Sequence, residues 1–193
     1  MAKLRSFIGL ALEEPALGAA ACCLEALRSG PLGRDARFVR PEGLHVTLRF
    51  LGAIESDAVP AIFRAVAASV FPLAAFSVCL GALHAFPSPQ RPRVLALGLE
   101  PEAKLAELAA AVERGVVAAG FAPEPHAFRA HVTLARVLAE RRPVLEGVPG
   151  PAPAQFTAHE ATLFESQPGA GGSLYTPLER MALGGSVLTQ PDF

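Results

Sequence analysis

The tetrapeptide His-Val-Thr-Leu occurs twice in this chain, beginning at His45 in "HVTLRF" and at His131 in "HVTLAR". Both copies alternate polar and apolar residues with the period of two that is typical of a half-buried β-strand. Each histidine would then share one strand face with the threonine two residues on (Thr47 and Thr133), while Val and Leu face the other way. An internal repeat of this kind predicts a fold of two related halves.

The remaining sequence indicates strands and helices around the two motifs. Strands are predicted at about 4–11, 44–52, 76–82, 94–99, 128–137, 156–165 and 174–183. Helices are predicted at about 15–28, at about 56–70 with Ser56 as its cap, and at about 101–120, and a hairpin turn at the glycine-rich 168–173. We therefore expect an α+β fold of two pseudo-symmetric lobes, each a mostly antiparallel sheet with helices on the outer face, around a central cleft. Residues 1–193 are interpreted as a single bilobal domain.

Composition narrows the class of function. Hydrophobic residues make up 51% of the chain, which is ample for a packed interior, and the formal net charge is −1. This balance argues against a protein that grips long duplex nucleic acid, although a few arginines could still neutralise a single phosphate. Candidate groups are Arg34, Arg37 and Arg40, then Arg91 and Arg93, then Arg141 and Arg142. The simpler interpretation of most of these arginines is a solvated surface charge.

Cysteine usage and the first residues bear on the compartment. Cys22, Cys23 and Cys79 have neither metal-site spacing nor the even number of a disulfide framework, so we expect a cytoplasmic protein. The start "MAKLRSFIGLALEE" places two cations before an apolar run, but that run soon reaches Glu13 and is interpreted as a strand rather than a signal peptide. Apolar stretches free of charge and proline are too short to span a membrane, so no membrane association is expected.

The repeated motif fits one kind of chemistry. If the two lobes face each other, one cleft holds two imidazoles and two hydroxyls. Cleavage of a phosphodiester by water requires a base and an acid, and two histidines near neutral pH can divide these tasks. Threonine hydroxyls can donate hydrogen bonds to phosphate oxygens. Neither motif carries an Asp, Glu or Cys beside its histidine, so we expect no metal and no cofactor.

The motif alone does not say which histidine is the acid. A lone strand histidine is more often a structural or surface residue than a catalyst, and His84, His126 and His159, which lie in dissimilar settings, are interpreted as structural or solvent-exposed. The duplication of His-Val-Thr-Leu favours catalysis for the other two.

Two blocks, "VRPEGLHVTLRFLG" and "FRAHVTLAR", resemble the motif blocks of the two-histidine phosphoesterase superfamily. The closest resemblance within it is to bacterial and archaeal RNA 2′,3′-cyclic phosphodiesterases, also called 2′-5′ RNA ligases. "LRSFIGLAL", "RPRVLALGL" and "TLFESQPGAGGSLYTPLERMAL" extend the resemblance over nearly the whole chain. It implies metal-independent hydrolysis of an RNA terminal 2′,3′-cyclic phosphate to a 2′-phosphomonoester. It also implies that His45 is the proton donor, His131 the acceptor, and Thr47 and Thr133 the phosphate binders.

The sequence departs from the family pattern in two places. Ala130 stands where the family often has proline, and no aromatic residue occurs near 95–96, where the family often has one; the second departure puts a base-stacking surface there in doubt. Arg136 follows the second motif as in the family and is a candidate for binding phosphate or RNA, although strict alternation aims it away from His131. Arg49 is aimed better but is less typical of the family. Surface ion pairing is the alternative for both arginines.

Three functions remain open on this evidence. The first is the hydrolysis just described, on RNA ends or on small cyclic nucleotides, by an enzyme expected to be a monomer. The second is the reverse reaction, 2′-5′ RNA ligation, which the same histidines could serve. The third is a non-catalytic RNA-end or nucleotide-binding module, for which the loss of one His or Thr would be typical, whereas all four are present.

Overall fold

The computed structural model describes residues 2–88, 90–138, 150–169 and 172–184. It has nine strands: β1 (Lys3–Ala11), β2 (Ala36–Phe38), β3 (His45–Glu55), β4 (Phe76–Phe86), β5 (Val94–Glu100), β6 (His131–Val137), β7 (Gln155–Ala158), β8 (Glu160–Gly169) and β9 (Gly172–Ala182). It has three α-helices: α1 (Ala16–Ser29), α2 (Val59–Val70) and α3 (Glu102–Ala118). The predicted α+β class is confirmed.

All nine strands belong to one mostly antiparallel sheet. Its order is β7-β4-β5-β6-β3-β1-β8-β9, with β2 paired to β6 beside this path. The two strands that carry the repeated motif are neighbours at the centre, and they pair at Val46 and Val132. The two expected sheets are therefore joined into one, with four strands of the path on each side of the junction between β6 and β3.

The two structural halves are not the two halves of the sequence. β3 and β1 are completed by β8 and β9, which come from the end of the described chain, while β6 is completed by β5, β4 and β7. The hairpin of β8 and β9 reaches the first half because β8 pairs with the free edge of β1. Each half nevertheless has the same plan, a motif strand at the centre and three antiparallel strands beyond it.

The apolar face of the sheet packs under the helices. Val46 and Val132 are fully buried, and they join one continuous core with the inner faces of α1, α2 and α3. α2 and α3 approach closely at Gly115, where an added Cβ would lie 2.6 Å from the Cα of Val66. Burying one face in this way leaves the opposite face, with the histidines and threonines, free for a site.

Several element boundaries differ from the sequence prediction. Ser56 lies in a 3₁₀ turn (Ser56–Ala58), and α2 begins at Val59 without a side-chain cap. The strand predicted at 156–165 is two strands, β7 and β8, interrupted at His159. Arg141 and Arg142, and residues 170–171 of the glycine-rich turn, lie outside the described residues. Within the described ranges, no helix combines the length and apolar character needed to cross a bilayer.

Candidate active site

The two motif histidines lie at the first positions of β3 and β6. These strands are antiparallel, and Val46 pairs with Val132. The residues that flank this pair therefore also lie opposite each other, His45 across from Thr133 and Thr47 across from His131. The valines point into the core and the four polar side chains point the other way. The structure thus brings together all four residues that the repeated motif predicts.

These four side chains border a single large cavity of about 1150 Å³. Its wall combines polar residues from β3 and β6 with aromatic residues from β1, β3, the segment before β6, and β9: Phe7, Phe50, Phe128 and Tyr175. The space is ample for a nucleotide, which needs both a polar end for phosphate and an apolar surface for the base.

A backbone carbonyl fixes the tautomer of each histidine. The Nδ1 of His45 lies 2.7 Å from the carbonyl oxygen of Gly43, and the Nδ1 of His131 lies 2.8 Å from that of Arg129. A carbonyl only accepts hydrogen bonds, so each Nδ1 must carry the proton. Each Nε2 is therefore the atom left to exchange a proton in the cavity.

The surroundings of His45 are aromatic and leave the residue partly buried. The ring of Phe7 lies 4.6 Å from the imidazole centroid, and that of Tyr175 packs edge-on at 4.8 Å. Burial lowers the pKa of His45; the Gly43 carbonyl opposes this shift, and the charge of His131 adds to it. The Nε2 of His45 lies 3.1 Å from the Oγ1 of Thr47, so the hydroxyl and imidazole are already in hydrogen-bond contact.

His131 has a different aromatic neighbour. The ring of Phe86, at the end of β4, lies 5.8 Å from the His131 ring. Phe86 pairs across the sheet with Val94 of β5. An aromatic surface is therefore present beside the second motif although β5 supplies none at 95–96.

A β-bulge in β6 brings Arg136 to the site. Ala96 of β5 pairs with Thr133, but the next β5 residue toward its start, Leu95, pairs with Ala135, which leaves Leu134 as an extra residue. Leu134 and Ala135 are both fully buried. The alternation of faces is thereby reset, and Arg136 borders the cavity with Thr133 instead of pointing away from it.

The first motif has a matching bulge with the opposite consequence for its arginine. Gly9 of β1 pairs with Thr47 and Ile8 pairs with Arg49, so Leu48 is the extra residue. Ile8 is fully buried on the core side, and Arg49 lies opposite it on that side. Phe50, by the same logic, lies on the cavity face and is 55% exposed.

Arg49 borders the cavity, yet its guanidinium is held by a set of protein partners. Its Nε lies 2.6 Å from a Glu113 carboxylate oxygen, and its NH1 lies 2.8 Å from Glu124. The Nε contact has the distance of an ion pair without the alignment of a hydrogen bond. NH2 donates to the carbonyl of Ala122 at 2.6 Å. A hydrogen bond with His126, and then the charge of Arg49, hold the pKa of Glu124 below its ordinary value.

A match to a protein-family model shows which superfamily this chain belongs to. The model of the 2′-5′ RNA ligase superfamily matches residues 14–170, which include both motifs and the strands between them. The chain belongs to the 2′-5′ RNA ligase superfamily.

Several curated proteins similar to the chain carry the name RNA 2′,3′-cyclic phosphodiesterase. The Aeropyrum pernix protein is 37% identical over 110 residues, covering 56% of this chain and 61% of that protein. The Bacillus subtilis protein is 30% identical over 130 residues, covering 67% and 69%. The Methanothermobacter thermautotrophicus protein is 27% identical over 185 residues, covering 92% and 97%. The chain thus spans less than two thirds of the A. pernix relative and nearly all of the last.

Solved structures of similar fold cover almost the whole chain. A protein of Thermus thermophilus superposes with a TM-score of 0.77 at 27% identity, covering 95% of this chain and 100% of that one. Escherichia coli LigT, crystallised with 3′-AMP, gives a TM-score of 0.77 at 24% identity, covering 94% and 99%. The second likeness concerns the fold alone.

This superfamily member has further site residues that sequence reasoning missed. Phe7 and Tyr175 border the cavity and Phe86 flanks His131, and no local pattern singled them out because they lie on strands other than the two motif strands. Phe50 also borders the cavity, but it lies on β3, where strict alternation puts it on the face opposite His45. His126, interpreted as structural or exposed, is exposed and borders the cavity. His84 and His159 are not among the residues that border the cavity. Among the described residues, no group of three or more His, Cys, Asp or Glu is placed to hold a metal ion.

Proposed function

We propose that this protein hydrolyses the terminal 2′,3′-cyclic phosphate of RNA to a 2′-phosphomonoester by general acid–base catalysis with two histidines. The observation that carries the proposal is the pair of imidazoles on adjacent central strands, each with Nδ1 bound to a carbonyl and Nε2 left for the cavity. The names of the relatives support the same reaction.

The reaction divides into two proton transfers. His131, neutral at Nε2, takes a proton from water, and the hydroxide oxygen forms a bond to phosphorus. The bond from phosphorus to the 3′ oxygen breaks, and the Nε2–H of His45 donates its proton to that oxygen. The products are a 3′ hydroxyl and a 2′-phosphomonoester, with His131 protonated and His45 neutral. Exchange of one proton with solvent at each histidine restores the starting state.

The lowered pKa of His45 is compatible with the role of acid. A histidine with a lowered pKa gives up its proton more readily, which favours protonation of a poor alkoxide leaving group. In the free protein this shift favours the neutral form of His45, but a bound phosphate brings a negative charge beside the imidazole and favours its charged form. Substrate binding thus favours the protonated form of His45, which the reaction needs as its acid.

The remaining polar groups of the cavity are suited to bind the phosphate. The hydroxyls of Thr47 and Thr133 can donate to the non-bridging oxygens, whose charge grows in the transition state. Arg136 borders the cavity beyond Thr133, and its guanidinium can donate charge-assisted hydrogen bonds to a phosphate oxygen. Arg49 is occupied by Glu113 and Glu124, so we assign it a structural role rather than phosphate binding.

A product assay tests the proposal. An oligonucleotide with a 2′,3′-cyclic phosphate end is incubated with the protein, and the new ends are resolved by chromatography and phosphatase sensitivity. We expect a 2′-phosphate as the product. A 3′-phosphate or an unchanged cyclic end would contradict the proposal. A joined product, seen when an acceptor with a 5′ hydroxyl is added, would instead support ligation as the main activity.

Metal chelation tests the absence of a metal from the mechanism. Glu113 and Glu124 are the carboxylates that border the described part of the cavity, and both contact Arg49. Neither is therefore free to bind a metal ion beside the phosphate. We therefore expect EDTA to leave the hydrolysis rate unchanged. Loss of activity on chelation, with recovery on addition of a divalent metal, would overturn this part of the proposal.

A further inference from the structure

A second arginine lies directly beside Arg136. β2 pairs with β6 on the edge opposite β5, the edge that also pairs with β3, and Arg37 is the cross-strand partner of Arg136. Residues directly opposite each other in an antiparallel pair point to the same face, with Cβ atoms about 5 Å apart. Arg37 therefore shares the face on which Arg136 borders the cavity.

The neighbours of Arg37 give the same orientation. Ala36 is buried in the core and Phe38 packs against it, so the residue between them points to the opposite side. Arg37 is exposed, and Val39, two residues on, borders the cavity. The short strand β2 thus adds one cation beside Arg136 on the same face, next to the residues that border the cavity.

Two like charges placed opposite each other destabilise a strand pair unless something of opposite charge lies between them. In the described part of the chain, neither Arg37 nor Arg136 forms an ion pair with a carboxylate. This differs from Arg49, which has two carboxylate partners. The pair is thus suited to an anion supplied from outside the protein.

We propose that Arg37 and Arg136 together bind the phosphate on the 5′ side of the terminal nucleotide. This site rests on the proposed function, because it is located relative to the cyclic phosphate held by the threonines. From Thr133 to Arg136 the chain advances by about two strand steps, or about 7 Å, since one of the three residues is the extra bulge residue. Successive phosphates along an extended RNA strand are separated by a similar distance. The preferred substrate class is therefore an RNA end, or a 5′-phosphorylated nucleotide, rather than a nucleoside cyclic phosphate.

Kinetics on two matched substrates test this inference. One is adenosine 2′,3′-cyclic phosphate, and the other is the same compound with a 5′-phosphate. We expect the 5′-phosphate to raise kcat/KM of the wild-type protein about tenfold, mainly through KM, and to do so less as salt is raised. Arg37→Gln should reduce this ratio to near one, and Arg37→Lys should retain part of it because a charge remains.

The control is Arg64→Gln, which removes the same charge from an exposed position on α2, on the helical side of the sheet. Its substrate ratio should equal that of the wild type. A wild-type ratio near one, or a ratio unaltered by Arg37→Gln, would overturn the site.

Binding of the products separates this inference from the proposed function. Calorimetry compares adenosine 2′-phosphate with adenosine 2′,5′-bisphosphate, and neither requires turnover. We expect the bisphosphate to bind about tenfold more tightly to the wild type and to lose that gain in Arg37→Gln. If the bisphosphate binds more tightly but no cyclic substrate is hydrolysed, the proposed reaction is refuted while the phosphate site is supported. Equal binding of the two compounds, or binding of neither, would overturn the site.

Discussion

At the scale of single residues, the two motif histidines differ in their surroundings rather than in their motifs. His45 lies between Phe7 and Tyr175 and touches the Thr47 hydroxyl, while His131 has Phe86 as its aromatic neighbour. The sequence predicted the four polar residues but could not distinguish the roles of the histidines. That difference arises from aromatic side chains on other strands, which approach only once the sheet has formed.

The pH dependence of the rate follows from the lowered pKa of His45. The acid must be charged to donate and the base must be neutral to accept, so two titrations limit the rate, and the lowered pKa of His45 places one of them below the ordinary histidine value of about 6.5. We expect a bell-shaped kcat/KM profile with one limb below that value. In the kcat profile the same limb should move to higher pH, because bound phosphate favours the charged imidazole. A sigmoid, or identical limbs in both profiles, would contradict His45 as the acid.

At the scale of secondary-structure elements, the bulges decide which motif arginine can meet the substrate. Strict alternation places Arg49 with the histidines and Arg136 away from them. The extra residues Leu48 and Leu134 invert both placements. A bulge is a property of a strand pair, so it could not be predicted from either motif strand alone.

The placement of Arg49 on the core side gives it a structural role between elements. It connects β3 to Glu113 of α3 and to Glu124, in the segment that leads to the second motif. Arg49→Met should lower the free energy of unfolding by about 1–3 kcal/mol, because two half-buried carboxylates lose their partner. Urea denaturation measures this change.

The matched control is Lys3→Met, which breaks the exposed ion pair of Lys3 with Glu55 at 3.9 Å. Its effect on the free energy of unfolding should stay within about 0.5 kcal/mol. An equally small effect of Arg49→Met would show that the contacts with Glu113 and Glu124 do not stabilise the fold.

At the scale of the whole molecule, one central strand pair organises both the fold and the site. The α+β class and the location of the motif strands were predictable, because period-two alternation and the repeat are local features. The joining of β8 and β9 to the first half was not, because pairing between β1 and β8 connects the two ends of the described chain. The aromatic wall shares this origin, since Phe7 and Tyr175 come from those distant strands.

The central claim is that His45 and His131 act together on a cyclic phosphate. The most direct measurement is kcat for His45→Ala and for His131→Ala on an oligonucleotide with a 2′,3′-cyclic phosphate end. His159→Ala is the control, because His159 Nδ1 makes a similar contact, 3.2 Å from the Thr157 carbonyl, away from the cavity. We expect each motif variant to lose about 10²–10⁴ in kcat with an unchanged circular dichroism spectrum, and the control to keep the wild-type kcat. Wild-type kcat in either folded motif variant would contradict the two-histidine mechanism.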